Sequence, residues 1–439
     1  MLQTTNTVSA ARIDIDLRDN ARTTTTSAMR CDIHLSIYDN LSTIEKAWRA
    51  FEQSADCTVF QSFSWLSTWQ RYIGVHHDVS LAIVVGRNTD GEMVFLLPLA
   101  VASDGFVRRL TWLGSYLGDY NAPLLAADFS RQIGGAAFVQ LWHEIVQRLQ
   151  SRSNSQHDLI HFEKMPETVG TQPNPFLQLH SVLNPNNAYL TRLTDDWETF
   201  YAHKRSSTTR RRDRTKRKRM SDFGEVNFVS PDSPNEIVRS FDTLIDQKTQ
   251  SFARMGIANM FERPGYPEFY RALATDPQTR ELVQVSRLDV GATPAAVSFG
   301  LTFRNCYYNI LASYDGGDLS KYGPGAAHLH ELMRNAIASG CRVFDFTIGD
   351  ERYKRDWCDT DLKLFDHVAF ATWRGALVAV PLLVARRLRR LIKKTPILWN
   401  AFSQTRSVIG SLRMLWLSFW PGRQTSGGRP NQRLANGNK

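Results

Sequence analysis

Ser320-Lys321-Tyr322-Gly323-Pro324-Gly325 is the stretch whose reading decides the fold. Three apolar, β-branched-rich runs precede it, at 282–288, 295–303 and 306–313. The segments between them, 289–294 and Arg304-Asn305, are short turns, so the runs predict an antiparallel meander. After the stretch, Leu329, Leu332, Met333, Ala336 and Ile337 fall on one helical stripe, and Gly340 follows as a cap. Residues 342–347 then read as a buried strand, which must lie parallel to a neighbour if it returns from that helix. Gly323 and Gly325 let backbone N–H groups approach a diphosphate closely, and the helix behind them adds the positive end of its dipole. Taken alone, the hexapeptide is an ordinary strand-to-helix connection; the order of elements around it carries the reading.

Working outward, Gly349-Asp350-Glu351-Arg352-Tyr353-Lys354-Arg355-Asp356-Trp357 follows the buried strand, and 368–373 is a last strand. Upstream, 241–253 and 267–274 are helical. A helix opens at Asp196 and is expected to run without a break through a basic run to Met220, with Gly224 as its stop. The first half begins with a helix at 41–51. A hairpin of 81–86 and 93–101 turns at Asn88-Thr89-Asp90-Gly91, with strands at 109–113 and 159–162 and an amphipathic helix at 136–149. The expected organisation is an α/β chain: a disordered leader over 1–30, a first domain over 31–165, a Pro-, Asn- and Gln-rich linker over 166–190, a second domain over 191–375 that includes the basic helix 196–220, and a basic helical tail over 376–439.

Forty-two per cent of the 439 residues are hydrophobic, enough for a sizeable core and against global disorder. The net charge of +10 is unevenly placed. Ten Lys/Arg and one Asp lie within 204–219, and thirteen Lys/Arg with no Asp or Glu lie within 371–439, so the rest of the chain is net acidic. The basic balance is therefore no argument for a general nucleic-acid-binding surface. Five cysteines are scattered singly, which fits a reduced compartment. His76-His77 and His328/His330 lack partners at metal spacing, so no metal site is expected. No signal peptide is recognised, and the longest apolar stretch, 376–385, is short of the roughly 20 residues that a span needs. A cytoplasmic protein is expected.

The order of meander, glycine loop, helix and strand resembles the GNAT acyl-CoA N-acyltransferase fold. Ser320 departs from the Gln or Arg usual at the start of that family's loop, and Lys321 beside it supplies a charge instead. Tyr322-Gly323-Pro324-Gly325, then Phe344-Asp345-Phe346, Gly349-Asp350, Tyr353-Lys354 and Trp357 resemble the acetyltransferase domain of the CelD/BcsL group. The arginine-rich helix, Gln61-Ser62, Trp65, Trp69 and Leu113-Gly114 fit the same pattern, so the resemblance covers roughly 35–375. It implies two tandem GNAT-like domains with mixed sheets, as in FemAB-type proteins, with the acyl donor in the second and the first shaping the acceptor site. It further implies acetyl-CoA or another acyl-CoA as co-substrate. The acceptor would be an amine of exopolysaccharide, cellulose or cell-envelope biosynthesis.

Direct attack of an amine on a thioester needs a base, oxyanion stabilisation and an acid for the thiolate. Backbone N–H groups at Ile310, Leu311 and Ala312 are the candidates for the carbonyl. Lys321, Tyr322, Gly323, Gly325 and Ala326 are those for the CoA phosphates. Tyr353 stands where this family often places its acid; its alternative is an interfacial tyrosine. Asp345 and Asp350 are candidate bases, with Asp345, between two Phe, expected to hydrogen-bond structurally and Asp350 to face a cleft. Lys354 binds substrate or pairs with an acidic neighbour. Asp119 and Tyr120 are candidate acceptor contacts, against the reading of a simple turn before Pro123.

Two other functions compete: a non-catalytic GNAT-like accessory protein of a polysaccharide machine, and a nucleic-acid binder using 204–219, which lacks interleaved aromatics. In the tail, Val384, Leu388, Leu391 and Ile392 form a stripe beside Arg386, Arg387, Arg389, Arg390, Lys393 and Lys394. Leu412, Leu415, Trp416 and Phe419 repeat it. That pattern fits either an interfacial helix on anionic lipid or docking on the protein body.

Overall fold

Two mixed β-sheets organise residues 32–394, the part of the chain that the computed structural model describes. The leader expected over 1–30 and the second tail stripe at Leu412 to Phe419 lie outside the described residues.

In the first sheet β1 (His34–Tyr38), β2 (Val79–Arg87), β3 (Met93–Ser103) and β4 (Arg108–Trp112) run antiparallel in sequence order, and β5 (Leu124–Leu125) adds to β3. The β2–β3 turn closes as its residues dictate: Asn88 Oδ1 accepts the N–H groups of Asp90 and Glu92 at 3.1 and 2.9 Å, and Gly91 takes φ 82°. Helices α1 (Leu41–Ser54) and α2 (Phe63–Tyr72) precede β2. Helices α3 (Phe129–Gln132) and α4 (Gly135–Gln150) lead to β6 (Leu159–Pro166), which lies parallel to β4.

Residues 166–190 are not a linker. They form a small hairpin, β7 (Thr168–Val169) and β8 (Gln172–Pro173), then β9 (Ser181–Leu183) and β10 (Ala188–Arg192). The composition that signals turns does make turns here, but Phe176 pins the segment. It is fully buried, with its ring centroid 5.0 Å from Trp112 and 5.2 Å from Trp142. Buried Asn174 donates to the Pro166 carbonyl at 2.9 Å.

The expected continuous helix 196–220 is two helices, α5 (Trp197–Lys204) and α6 (Ser207–Met220). Arg205 is extended and Ser206 caps α6, its Oγ accepting the Thr209 N–H at 3.2 Å. A serine side chain satisfies an otherwise orphan N–H at a helix start, and this local gain breaks the run. Ser206→Ala is therefore expected to cost about 1 kcal/mol of stability, read by urea denaturation; no change would place the break elsewhere.

In the second sheet β11 (Val226–Val229), β12 (Val283–Val290), β13 (Thr293–Phe303) and β14 (Cys306–Tyr314) are antiparallel neighbours. Helices α7 (Pro234–Met255) and α8 (Tyr266–Thr275) lie between β11 and β12 in sequence. Helix α9 (Pro324–Ala338) returns the chain to β15 (Val343–Ile348), parallel to β14. The short α10 (Arg352–Arg355) and β16 (Thr360–Leu362) follow, then β17 (Leu364–Phe370) and α11 (Trp373–Lys394).

Each sheet thus repeats one plan: an antiparallel meander, a helical crossover and a parallel return strand. Each also borrows its next strand. β10, which follows the first half, pairs with β15 in the second sheet, whereas β17, which follows the second half, pairs with β6 and β9 in the first. The last strand, expected in the second domain, belongs to the first sheet. The halves share a core, with Trp65 edge-on to Phe269 at 4.9 Å and Phe60 to Tyr308 at 5.8 Å. Among the described residues no helix is long and apolar enough to cross a membrane, and no cluster of three or more His, Cys, Asp or Glu could hold a metal ion.

Candidate active site

β14 and β15 begin as paired neighbours and then part. Their parallel register runs from Cys306–Val343 to Tyr308–Asp345 and stops there, although β14 continues to Tyr314 and β15 to Ile348. Beyond that point β14 stays with β13 and β15 stays with β10, so a wedge opens between two backbone edges. Both strands carry irregularities here. The β13–β14 register skips Ile310, and the β10–β15 register skips Phe346. Gly300, beside the first of these, leaves room for the Tyr307 hydroxyl, from which a Cβ would stand 2.1 Å. Thr347 holds φ 59°, a left-handed conformation that is costly for a β-branched residue and concentrates at functional sites. Ile310, Leu311 and Ala312 therefore lie on the freed edge of β14. At its apex the buried Asn309 Oδ1 has no hydrogen-bond partner among the described residues.

The first half closes over this wedge. The Tyr120 hydroxyl donates to both carboxylate oxygens of Asp345, at 2.8 and 2.9 Å, and the Thr347 N–H donates to Oδ1 at 2.7 Å. Burial pushes the Asp345 carboxyl up to about 7, against the pull of those two donors. Asp119 is half-buried beside Tyr120. Burial raises its carboxyl as well, while Lys164, Thr347 and Lys354 hold it back. Lys164, at φ 56° in β6, donates to the Gly118 carbonyl at 2.5 Å, and burial lowers its ammonium against the attraction of Asp119. Lys354 is 4 % exposed; it donates to the Ile348 carbonyl and pairs with Glu351, both at 2.9 Å. Across the wedge, Lys248 on α7 is lowered by burial, with Glu351 opposing and Lys354 adding to the shift.

The structure brings together Asp119, Tyr120, Asp345 and Lys354 of the sequence candidates. Asp350 and Tyr353 have contacts elsewhere. Asp350 accepts from the Tyr189 hydroxyl at 3.0 Å. Tyr353, on α10, lies edge-on to Phe346 at 6.2 Å and is 42 % exposed. Burial of the hydroxyl, with the Glu351 charge adding to it, raises its pKa well above the usual tyrosine value. Lys164, Lys248, Thr347 and Glu351 were missed. No local pattern marks the first three; Glu351 lay within a quoted motif but had no assigned role.

The phosphate candidates lie at the other end of the wedge. Gly323 adopts φ 69° at the start of α9, where no side chain caps the helix, and a Cβ at Gly325 would stand 3.2 Å from the Tyr314 ring. Lys321 and Tyr322 share a groove of about 720 Å³ with Arg211, Arg212, Lys216 and Arg219 of α6. Ala326 is the third residue of α9, and its N–H is taken by the Gly323 carbonyl at 3.1 Å. α6 is held in place by an ion pair of Arg217 with Glu331 on α9 and by the Tyr201 hydroxyl donating to Asp213 at 2.7 Å. The basic run therefore forms one wall of a groove beside the glycine loop.

Residues 207–355 match the family profile described as an acetyltransferase (GNAT) domain. No curated protein sequence matches the chain. Among solved structures, FemX is similar at 10% identity over 72% of this chain and 95% of its own, with a TM-score of 0.49. A conserved protein of unknown function from Bacteroides thetaiotaomicron is similar at 13% identity over 77% of this chain and 100% of its own, with a TM-score of 0.47. A tandem GNAT protein from the clavulanic acid biosynthesis pathway is similar at 12% identity over 78% and 99%, with a TM-score of 0.42. On the family profile, residues 207–355 carry a GNAT domain, whose class of chemistry is acyl transfer, and the first sheet repeats the plan of the second. Domains of this class generally take the acyl group from a CoA thioester.

Proposed function

We propose that the protein is an acyl-CoA-dependent N-acyltransferase whose active centre is the wedge between β14 and β15, roofed by the first half. The observation that carries this reading is the loss of β14–β15 pairing after Tyr308 and Asp345, which leaves the edge of 310–312 without a strand beside it. The acyl-CoA would lie along that edge, with its phosphates at Gly323, Gly325 and Ala326 and beside Lys321, Tyr322 and the α6 cations. Backbone N–H groups of Ile310 to Ala312 would hold the thioester oxygen. The acceptor nitrogen attacks the carbonyl carbon, a C–N bond forms and the C–S bond breaks. Asp119 takes the proton from nitrogen, and Tyr353 is the candidate donor to the thiolate. Tyr120, clamped by Asp345, positions the Asp119 loop, and Asp350 orients β10 through Tyr189. An acetyl group and an acceptor from cellulose, exopolysaccharide or envelope synthesis rest on the CelD/BcsL resemblance; a cytoplasmic setting rests on the sequence reading alone.

Calorimetry and thermal unfolding with acetyl-CoA and longer acyl-CoAs test the donor. A ligand at 100 times its Kd raises stability by about 2.7 kcal/mol. Replacing Gly323 and Gly325 together with Val should abolish that gain, because Gly323 needs a left-handed backbone and Gly325 has Tyr314 against it. A full gain in the folded double variant would remove this loop from the site.

A further inference from the structure

The outward face of α11 is apolar and bare. Its inward face is docked: a Cβ at Gly375 would stand 1.9 Å from the Asp158 carbonyl oxygen, and Ala379 is 1 % exposed against Val107 and Leu159. Opposite these, Trp373, Leu377, Val380 and Val384 are 68, 59, 57 and 60 % exposed. Their spacing of four, three and four residues puts them on one stripe, and Phe370 at the end of β17 is also exposed. Large apolar side chains scattered singly are ordinary on a protein surface, but a contiguous stripe marks an interaction face. The sequence next to it carries Arg386, Arg387, Arg389, Arg390, Lys393 and Lys394, and no Asp or Glu occurs from 371 to the last residue.

We propose that α11 is a docking surface for anionic lipid, lying in the plane of the membrane with Trp373, Leu377, Val380 and Val384 in the interfacial layer, while the sequence of 386–394 supplies positive charge beside them. Charge selects this occupant. A second copy of the chain would set an acid-free basic segment against another, whereas anionic headgroups supply the opposite sign beside an apolar layer. The inference rests on α11 and not on the acyl-transfer reading.

The test is co-sedimentation of the full-length protein with vesicles of phosphatidylcholine alone and of phosphatidylcholine containing one-third phosphatidylglycerol. The expected result is binding to the second kind at low salt and release at 1 M salt, where the Debye length is about 3 Å. Substituting Leu377, Val380 and Val384 together with Ser should weaken binding by at least about tenfold while leaving the unfolding temperature unchanged, since all three are exposed. Leu377→Asp alone serves as a second variant should the triple one unfold. Wild-type protein that stays in the supernatant with anionic vesicles, or binds both kinds equally, would overturn the proposal. So would folded variants that bind as the wild type does. A wild-type dimer that the variants dissolve would put a second copy on the stripe instead.

Discussion

Asp119→Asn is expected to lower kcat by 10²- to 10⁴-fold while CoA affinity changes little, the range general base catalysis contributes. Its carboxyl is half-buried, and burial moves it up from the ordinary carboxylate value, toward the range where a base works best near neutral pH. Lys164 and Lys354 limit that rise and keep the ionised form accessible. The amide keeps the shape of the side chain and removes its basicity. Steady-state kinetics with any accepted amine, beside calorimetry with CoA, separates the two effects. Turnover within a few-fold of wild type would return Asp119 to a turn residue. A parallel loss of CoA affinity would make it a structural residue of the wedge. The pH profile supplies a further check: wild-type kcat/KM should rise as the base ionises, and that limb should vanish in the variant.

Asp345→Asn should change how stability depends on pH. The folded carboxyl titrates near 7, whereas an unfolded aspartate titrates near its ordinary value of about 3.9. Its folded value is raised, so the folded state holds the proton more tightly. The contribution to stability is complete below about pH 4, declines as pH rises, and is lost by about pH 7. The amide cannot ionise and does not suffer that loss. The variant should therefore gain on the wild type by roughly 4 kcal/mol between pH 4 and pH 8, the energy of a shift of about three pH units. Urea denaturation of both proteins across that window reads the difference. A difference independent of pH would mean that Asp345 is ionised in the fold at all these values, held so by Tyr120 and Thr347. Because Asp119 also raises Asp345, the same measurement in an Asp119→Asn background should show a smaller gain.

Much of the second half was legible because its signals are local. The β12–β14 meander has short turns and long apolar runs, and α9 presents one stripe closed by Gly340. Asp345, read from its two phenylalanine neighbours as a candidate base or a structural hydrogen-bonding residue, is buried and accepts from Tyr120 and Thr347. The tail helix was legible as an amphipathic pattern, although the stripe that is bare, Trp373 to Val384, begins earlier than the one read from sequence. The segment 166–190 misled because its Pro and Asn content describes turns equally well in a linker and in a packed excursion; only the buried Phe176 decides between them.

By itself the sequence determined the β12–β14 meander, α9 and β15, their order around Ser320 to Gly325, and the class of fold they imply, because turn chemistry and apolar period act between residues close in the chain. Only the tertiary structure decided that β10 and β17 are exchanged between the sheets, that α6 breaks from α5 and walls a groove with Lys321, and that Asp119 and Tyr120 meet Asp345, Thr347 and Lys354. The Tyr120–Asp345 pairing joins residues 225 positions apart. Strand edges and buried carboxyls take whichever partner the packed core brings within reach, and no short-range pattern encodes that choice.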